Sequence, residues 1–136
     1  MRNLSSKRFA FYEETVLMNR YRLLVIEDAL NLGLLYEQEL NDDGYEVDIA
    51  QSYKSALEYL ENKSYDLVIL ETMMKDTREI EKLHYKLNID TNLPVVINTA
   101  YPGCEQNQAY WPADACIYKS SDISVLKEKI KIFLQQ

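Results

Sequence analysis

Residues Tyr65–Met74 read YDLVILETMM, an apolar run that closes on a carboxylate, Glu71. A continuous apolar stretch of this length, without polar alternation, suits a strand covered on both faces, and such strands lie at the centre of parallel sheets. The strand is read as Asp66–Leu70. Working outward, Arg22–Ile26 (RLLVI) is a short apolar run that ends at Glu27-Asp28. Tyr45–Ala50 alternates, with Tyr45, Val47 and Ile49 on one face and Glu46 and Asp48 on the other. Pro94–Asn98 (PVVIN) ends at Thr99, and Ala115–Tyr118 ends at Lys119.

Helical patterns separate these runs. Leu30–Asp43 has Leu30, Leu34, Leu35 and Leu40 near helical spacing, with Gly44 where a C-terminal cap belongs. Ser52 can cap a helix running to about Asn62, with Ala56, Leu57 and Leu60 inward. Arg78–Leu87 forms another through Ile80, Leu83 and Leu87. Ser121 or Asp122 caps a last one, to about Leu134, with Ile123, Leu126, Ile130 and Phe133 at helical spacing. Residues 101–113 (YPGCEQNQAYWPA) hold two prolines and a glycine, and support only a short or distorted helix around Glu105–Tyr110. Residues 1–20 form an N-terminal extension without clear punctuation, either docked or frayed, and residues 21–136 form one domain.

Strands alternating with helices imply a parallel sheet covered on both faces by right-handed crossovers. In such open sheets, sites form beyond the carboxyl ends of the strands. Glu27-Asp28, Glu71, Thr99 and Lys119 each follow one of these ends, a coincidence that single loop charges do not produce by chance.

Composition narrows the function. The 136 residues suit one core, and 47% hydrophobic content suits a packed fold. A formal net charge of −7 disfavours nucleic acid and anionic membrane surfaces as partners. No 18-residue apolar run exists, and Glu13 and Glu14 interrupt any N-terminal leader, so a cytoplasmic protein is expected. Cys104 and Cys116 have neither framework nor zinc-ligand spacing and are expected to be inert, reduced thiols. His84 lacks any surrounding phosphotransfer pattern and is expected at a surface or boundary. Tyr101, Tyr110, Trp111 and Tyr118 suit a partner surface and core packing equally.

The ordered set Glu27-Asp28, Glu71, Thr99 and Lys119 resembles the active site of response-regulator receiver domains of two-component signalling, over residues 21–135. The resemblance implies a flavodoxin-like α/β three-layer sandwich with sheet order 2-1-3-4-5. Glu27 and Asp28 match the family's acidic pair, Glu71 its phospho-acceptor, Thr99 its hydroxyl residue, Lys119 its lysine, and the Met73 carbonyl its backbone metal ligand. The implied cofactor is Mg²⁺, held by Glu27, Asp28, Glu71 and Met73. The implied role is phosphorelay signalling through protein contact rather than enzymatic turnover. A histidine kinase or a downstream signalling protein is the implied partner, with homodimerisation left open.

Several residues depart from the pattern. The family's acceptor is an aspartate; glutamate is one methylene longer, which moves the carboxylate about 1–1.5 Å outward. Such a shift disturbs both Mg²⁺ geometry and in-line attack. Ser120 follows the lysine where proline is usual, Cys116 replaces the switch aromatic, and Lys75 stands where the acceptor loop has proline. The stretches KSSDI (119–123) and WPAD (111–114) resemble a subgroup of receivers in which serine follows the lysine. Glu71 is therefore expected to pair with Lys119 and to stay unphosphorylated. The alternatives are a Mg²⁺-dependent phospho-acceptor and a scaffold or dimerisation unit. No DNA-binding motif is read, so output is expected to pass through a protein.

Overall fold

The central strand β3 (Leu67–Leu70) is buried along its whole length. It pairs in parallel with β1 (Arg22–Ile26) on one side and with β4 (Val95–Thr99) on the other. Strand β2 (Glu46–Ala50) adds beyond β1 and β5 (Ala115–Tyr118) beyond β4, giving five parallel strands in the order β2-β1-β3-β4-β5. This computed structural model describes residues 20–101, 103, 110–120 and 122–134. Four helices are described: α1 (Leu30–Asp42), α2 (Tyr53–Asn62), α3 (Ile80–Ile89) and α4 (Ser124–Phe133).

Alternation along the strands sorts the core into two layers. Leu24, Ile26, Val68, Leu70, Val95 and Ile97 pack with Tyr53 and Ala56 of α2 and Leu83 and Leu87 of α3. Leu23, Val25, Leu67, Ile69, Val96 and Ile117 pack with Tyr36 and Leu40 of α1 and Leu126 and Ile130 of α4. Each large aliphatic side chain withdrawn from water in this way contributes about 1.5–3 kcal/mol. The result is the flavodoxin-like three-layer arrangement expected from the alternation of elements.

Local chemistry sets the helix ends. The Ser55 N–H donates to Ser52 Oγ at 3.0 Å and caps α2. Helix α1 stops in a Schellman turn: Gly44 N–H donates to the Asn41 carbonyl at 2.9 Å and Tyr45 N–H to the Leu40 carbonyl at 3.1 Å. Gly44 has φ 96°, which a side chain would resist. Helix α3 starts at Ile80 rather than Arg78, because Glu79 takes a left-handed conformation at φ 69°.

The inward stripe of α1 differs from the expectation. Leu30, Leu34 and Leu35 are about half exposed, and Gly33, Tyr36 and Leu40 face the sheet. Gly33 explains this rotation. A Cβ at that position would stand 3.0 Å from the Ile49 side chain, so the missing side chain lets the helix approach β2 on that face. Cys116 also departs from the expected free thiol, being disulfide-bonded. Two cysteines without signature spacing carry no sequence signal of bonding. Cys104, Ser121, residues 1–19 and most of the expected helix at 105–110 lie outside the described residues.

Candidate functional site

The parallel ladder continues one residue past three strands. Glu27 N–H donates to the Ala50 carbonyl at 2.9 Å, Glu71 N–H to Ile26 at 2.9 Å, and Lys119 N–H to Thr99 at 2.7 Å. These bonds fix the backbone of Glu27, Glu71 and Lys119 at the carboxyl edge of the sheet and turn their side chains over one end of β3. Lys119 Nζ lies 2.5 Å from Glu27 Oε1 and 2.7 Å from Glu71 Oε1. Both carboxylates and the ammonium are largely withdrawn from water.

The remaining oxygens are also engaged. Glu71 Oε2 accepts from Met73 N–H at 3.3 Å, and Glu27 Oε2 accepts from Ala29 N–H at 3.2 Å. Burial pushes the Glu27 carboxyl above its ordinary value, and the Lys119 ammonium and Ala29 amide recover only part of that shift. Burial works on Lys119 in the downward direction, yet hydrogen bonds and charge from Glu27 and Glu71 outweigh it and raise its pKa. With all three groups ionised the cluster carries one net negative charge.

The other residues expected at the site take no part in the Lys119 ion pairs. Asp28 is exposed, and its Oδ2 accepts from Lys75 N–H at 3.2 Å. Thr99 is fully buried; its hydroxyl oxygen accepts from Tyr101 N–H at 3.3 Å. Met73, the residue expected to offer a carbonyl ligand, has a half-exposed side chain. Mg²⁺ demands near-octahedral oxygen geometry at about 2.0–2.1 Å. This arrangement does not fit it: Glu27 and Glu71 converge on an ammonium, and Asp28 is bonded to a backbone amide. Among the described residues no group of three or more acidic, histidine or cysteine side chains is placed to hold a metal ion.

Three features have no counterpart in the sequence reading. Glu27 shares Lys119 with Glu71, whereas only the Glu71 pairing is expected from sequence. The Tyr53 hydroxyl, at the start of α2, donates to the Glu71 carbonyl at 3.2 Å. Thr72, beside Glu71, is buried with its hydroxyl unpaired, and nothing in the structure explains that. A single sequence contains no signal for any of these, since each depends on which side chains the sheet brings together. The expected aromatics divide: Trp111 is core, while Tyr101, Tyr110 and Tyr118 are exposed.

Comparison with known proteins agrees with this architecture. The chain is 30% identical over 117 residues to the response regulator ArlR of Staphylococcus saprophyticus, covering 85% of this chain and 53% of that protein. It thus spans about half the length of the ArlR relatives it matches. It is 28% identical over 119 residues to sporulation initiation phosphotransferase F of Bacillus subtilis, covering 86% of this chain and 96% of that protein. The response regulator TrrA of Thermotoga maritima, solved in complex with Mg²⁺-BeF, superposes with a TM-score of 0.74 at 32% identity, covering 83% of this chain and 98% of that one. TrrA has also been solved in complex with the histidine kinase ThkA, and that structure matches with a TM-score of 0.73. Among the described residues no helix is long and apolar enough to cross a membrane. Residues 23–131 match the response regulator receiver domain, a signalling module rather than an enzyme, and the chain belongs to that family.

Proposed function

We propose that this receiver is an atypical one, in which Glu71 occupies the position where the family accepts a phosphoryl group and is held in one state by Lys119. The observation that carries the reading is the bridging ammonium, 2.5 Å from Glu27 and 2.7 Å from Glu71. A single fixed cation neutralises one of the two buried negative charges that a divalent metal would otherwise balance, and both oxygens of the acceptor carboxylate already accept hydrogen bonds. An acceptor carboxylate displaced by a methylene and committed to a lysine is poorly aligned for in-line attack, and a displacement near 1 Å can cost about a hundredfold in rate. Signalling then proceeds through protein contact, with a histidine kinase or a downstream signalling protein as partner. The exposed leucines Leu30, Leu34 and Leu35 on α1, at the same end of the sheet as Glu71, offer apolar area to such a partner.

A phosphomimic reading is less well supported. It requires Glu71 to engage Thr99, whereas the Glu71 oxygens accept from Lys119 Nζ at 2.7 Å and from the Met73 amide at 3.3 Å. Intact-mass measurement after incubation with acetyl phosphate and Mg²⁺ tests the proposal. The expected mass is unchanged for the wild type, and Glu71→Asp is expected to gain some phosphoryl transfer. A stoichiometric phosphate on wild-type Glu71 would overturn it.

A further inference from the structure

Among the described residues Tyr53 is the bulkiest fully buried side chain, and it touches both the backbone of Glu71 and the ring of Trp111. Its hydroxyl donates to the Glu71 carbonyl at 3.2 Å. Its ring lies 6.3 Å from that of Trp111, tilted by 39°. Trp111 in turn meets His84 of α3 edge-on at 5.4 Å and Tyr110 at 5.5 Å. His84 stacks on Tyr110 at 4.2 Å, and its Nε2 lies 2.6 Å from the Tyr110 carbonyl. A continuous series of packed rings therefore leads from the backbone of Glu71 to a half-buried histidine on α3.

We propose that Tyr53 is a positioning residue that couples the Glu71 loop to the Trp111–His84–Tyr110 cluster, so that the charge of Glu71 is read on the α3 face. Glu71 Oε2 holds the Met73 amide, and the Tyr53 hydroxyl holds the Glu71 carbonyl, so both ends of this short segment answer to one residue. Leaving a buried hydroxyl without an acceptor is costly, which makes Tyr53 follow the carbonyl when the loop moves. In an interior packed at crystal-like density a ring cannot shift alone, and Trp111 must adjust with it. The inference rests on Glu71 being the residue whose charge matters, as proposed above, but not on its resistance to phosphorylation.

The chain contains one tryptophan and one histidine, so the middle of the path and its α3 end can each be observed without ambiguity. The experiment compares Trp111 fluorescence and the His84 imidazole NMR signals in wild type, Glu71→Gln, Tyr53→Phe and the double variant. Glu71→Gln is expected to shift both signals in the wild-type background and to leave them unshifted when the Tyr53 hydroxyl is absent. No response to Glu71→Gln, or an equal response with and without that hydroxyl, overturns the proposal. Should Tyr53→Phe fail to fold, Trp111→Phe replaces it: the His84 response to Glu71→Gln must then disappear, and its persistence overturns the coupling. Phosphate uptake by wild-type protein, read by mass, would overturn the previous reading while leaving these spectroscopic outcomes intact.

Discussion

Lys119 binds Glu27 at 2.5 Å, although β3 and β4 separate the strands that carry the two residues. The ammonium reaches back across the sheet and ties its far half to β1. Glu71 lies on the way, so one cation serves two buried acids.

Lys119→Met should therefore be severely destabilising. Removing one partner of a buried pair leaves an uncompensated charge and typically costs about 3–5 kcal/mol; here two carboxylates are left. Urea unfolding at neutral pH measures the loss. It should shrink as the pH is lowered, because the carboxyls then take up protons, and adding Glu71→Gln to Lys119→Met should restore part of it.

The raised pKa of Glu27 gives an unusual acid limb. The folded state binds this proton more tightly than the unfolded chain, so its stabilising effect is full below about pH 4.5 and fades as pH rises through the folded value. Glu27→Gln should match wild type at low pH and exceed it increasingly towards neutrality. The alkaline limb runs through Lys119, whose pKa is also raised, and through Tyr53, which burial pushes up to about 12. Both contributions fade as pH rises above about 10, so stability should fall there, and Tyr53→Phe should flatten part of that fall.

Metal should matter little to this protein. A ligand that binds only the folded state at a hundred times its dissociation constant adds about 2.7 kcal/mol. Thermal unfolding with 10 mM Mg²⁺ (roughly the excess such a test needs) and with EDTA should give the same midpoint. A clear rise with Mg²⁺ would show that the cation displaces Lys119.

Thr72→Val tests the unpaired hydroxyl beside Glu71. The exchange keeps the shape and removes a buried polar group without a partner, so the variant should be more stable by roughly 1 kcal/mol. A loss of stability in the chemical unfolding curve would mean that the hydroxyl is satisfied in solution.

Much of this fold was legible in the sequence because strand residues alternate between two cores and each strand ends at a polar residue. YDLVILETMM identifies the middle of the sheet, and Gly44 marks a helix end through its backbone conformation alone. Helix α1 misleads for a physical reason. Leu30, Leu34 and Leu35 form an apolar stripe at helical spacing, but Gly33 permits closer approach on another face, and close packing decides the rotation. The site is only partly legible. Its residue types follow from position at strand ends, while the sharing of Lys119 by two acids depends on how far one side chain reaches across the sheet. Tyr53 carries no signal because a tyrosine after a helix cap is as compatible with solvent as with a core.

The leucines that Gly33 leaves outside have a calorimetric consequence. Three half-exposed leucines on one helix hold ordered hydration that any covering surface releases. Exposed apolar area raises heat capacity by about 0.45 cal/K/mol per Å². A partner that seats on α1 must therefore bind with a negative heat-capacity change, and Leu34→Ser should make that change smaller. A partner bound elsewhere would show the same value for both proteins, so the temperature dependence of the binding enthalpy locates the interface without a structure of the complex.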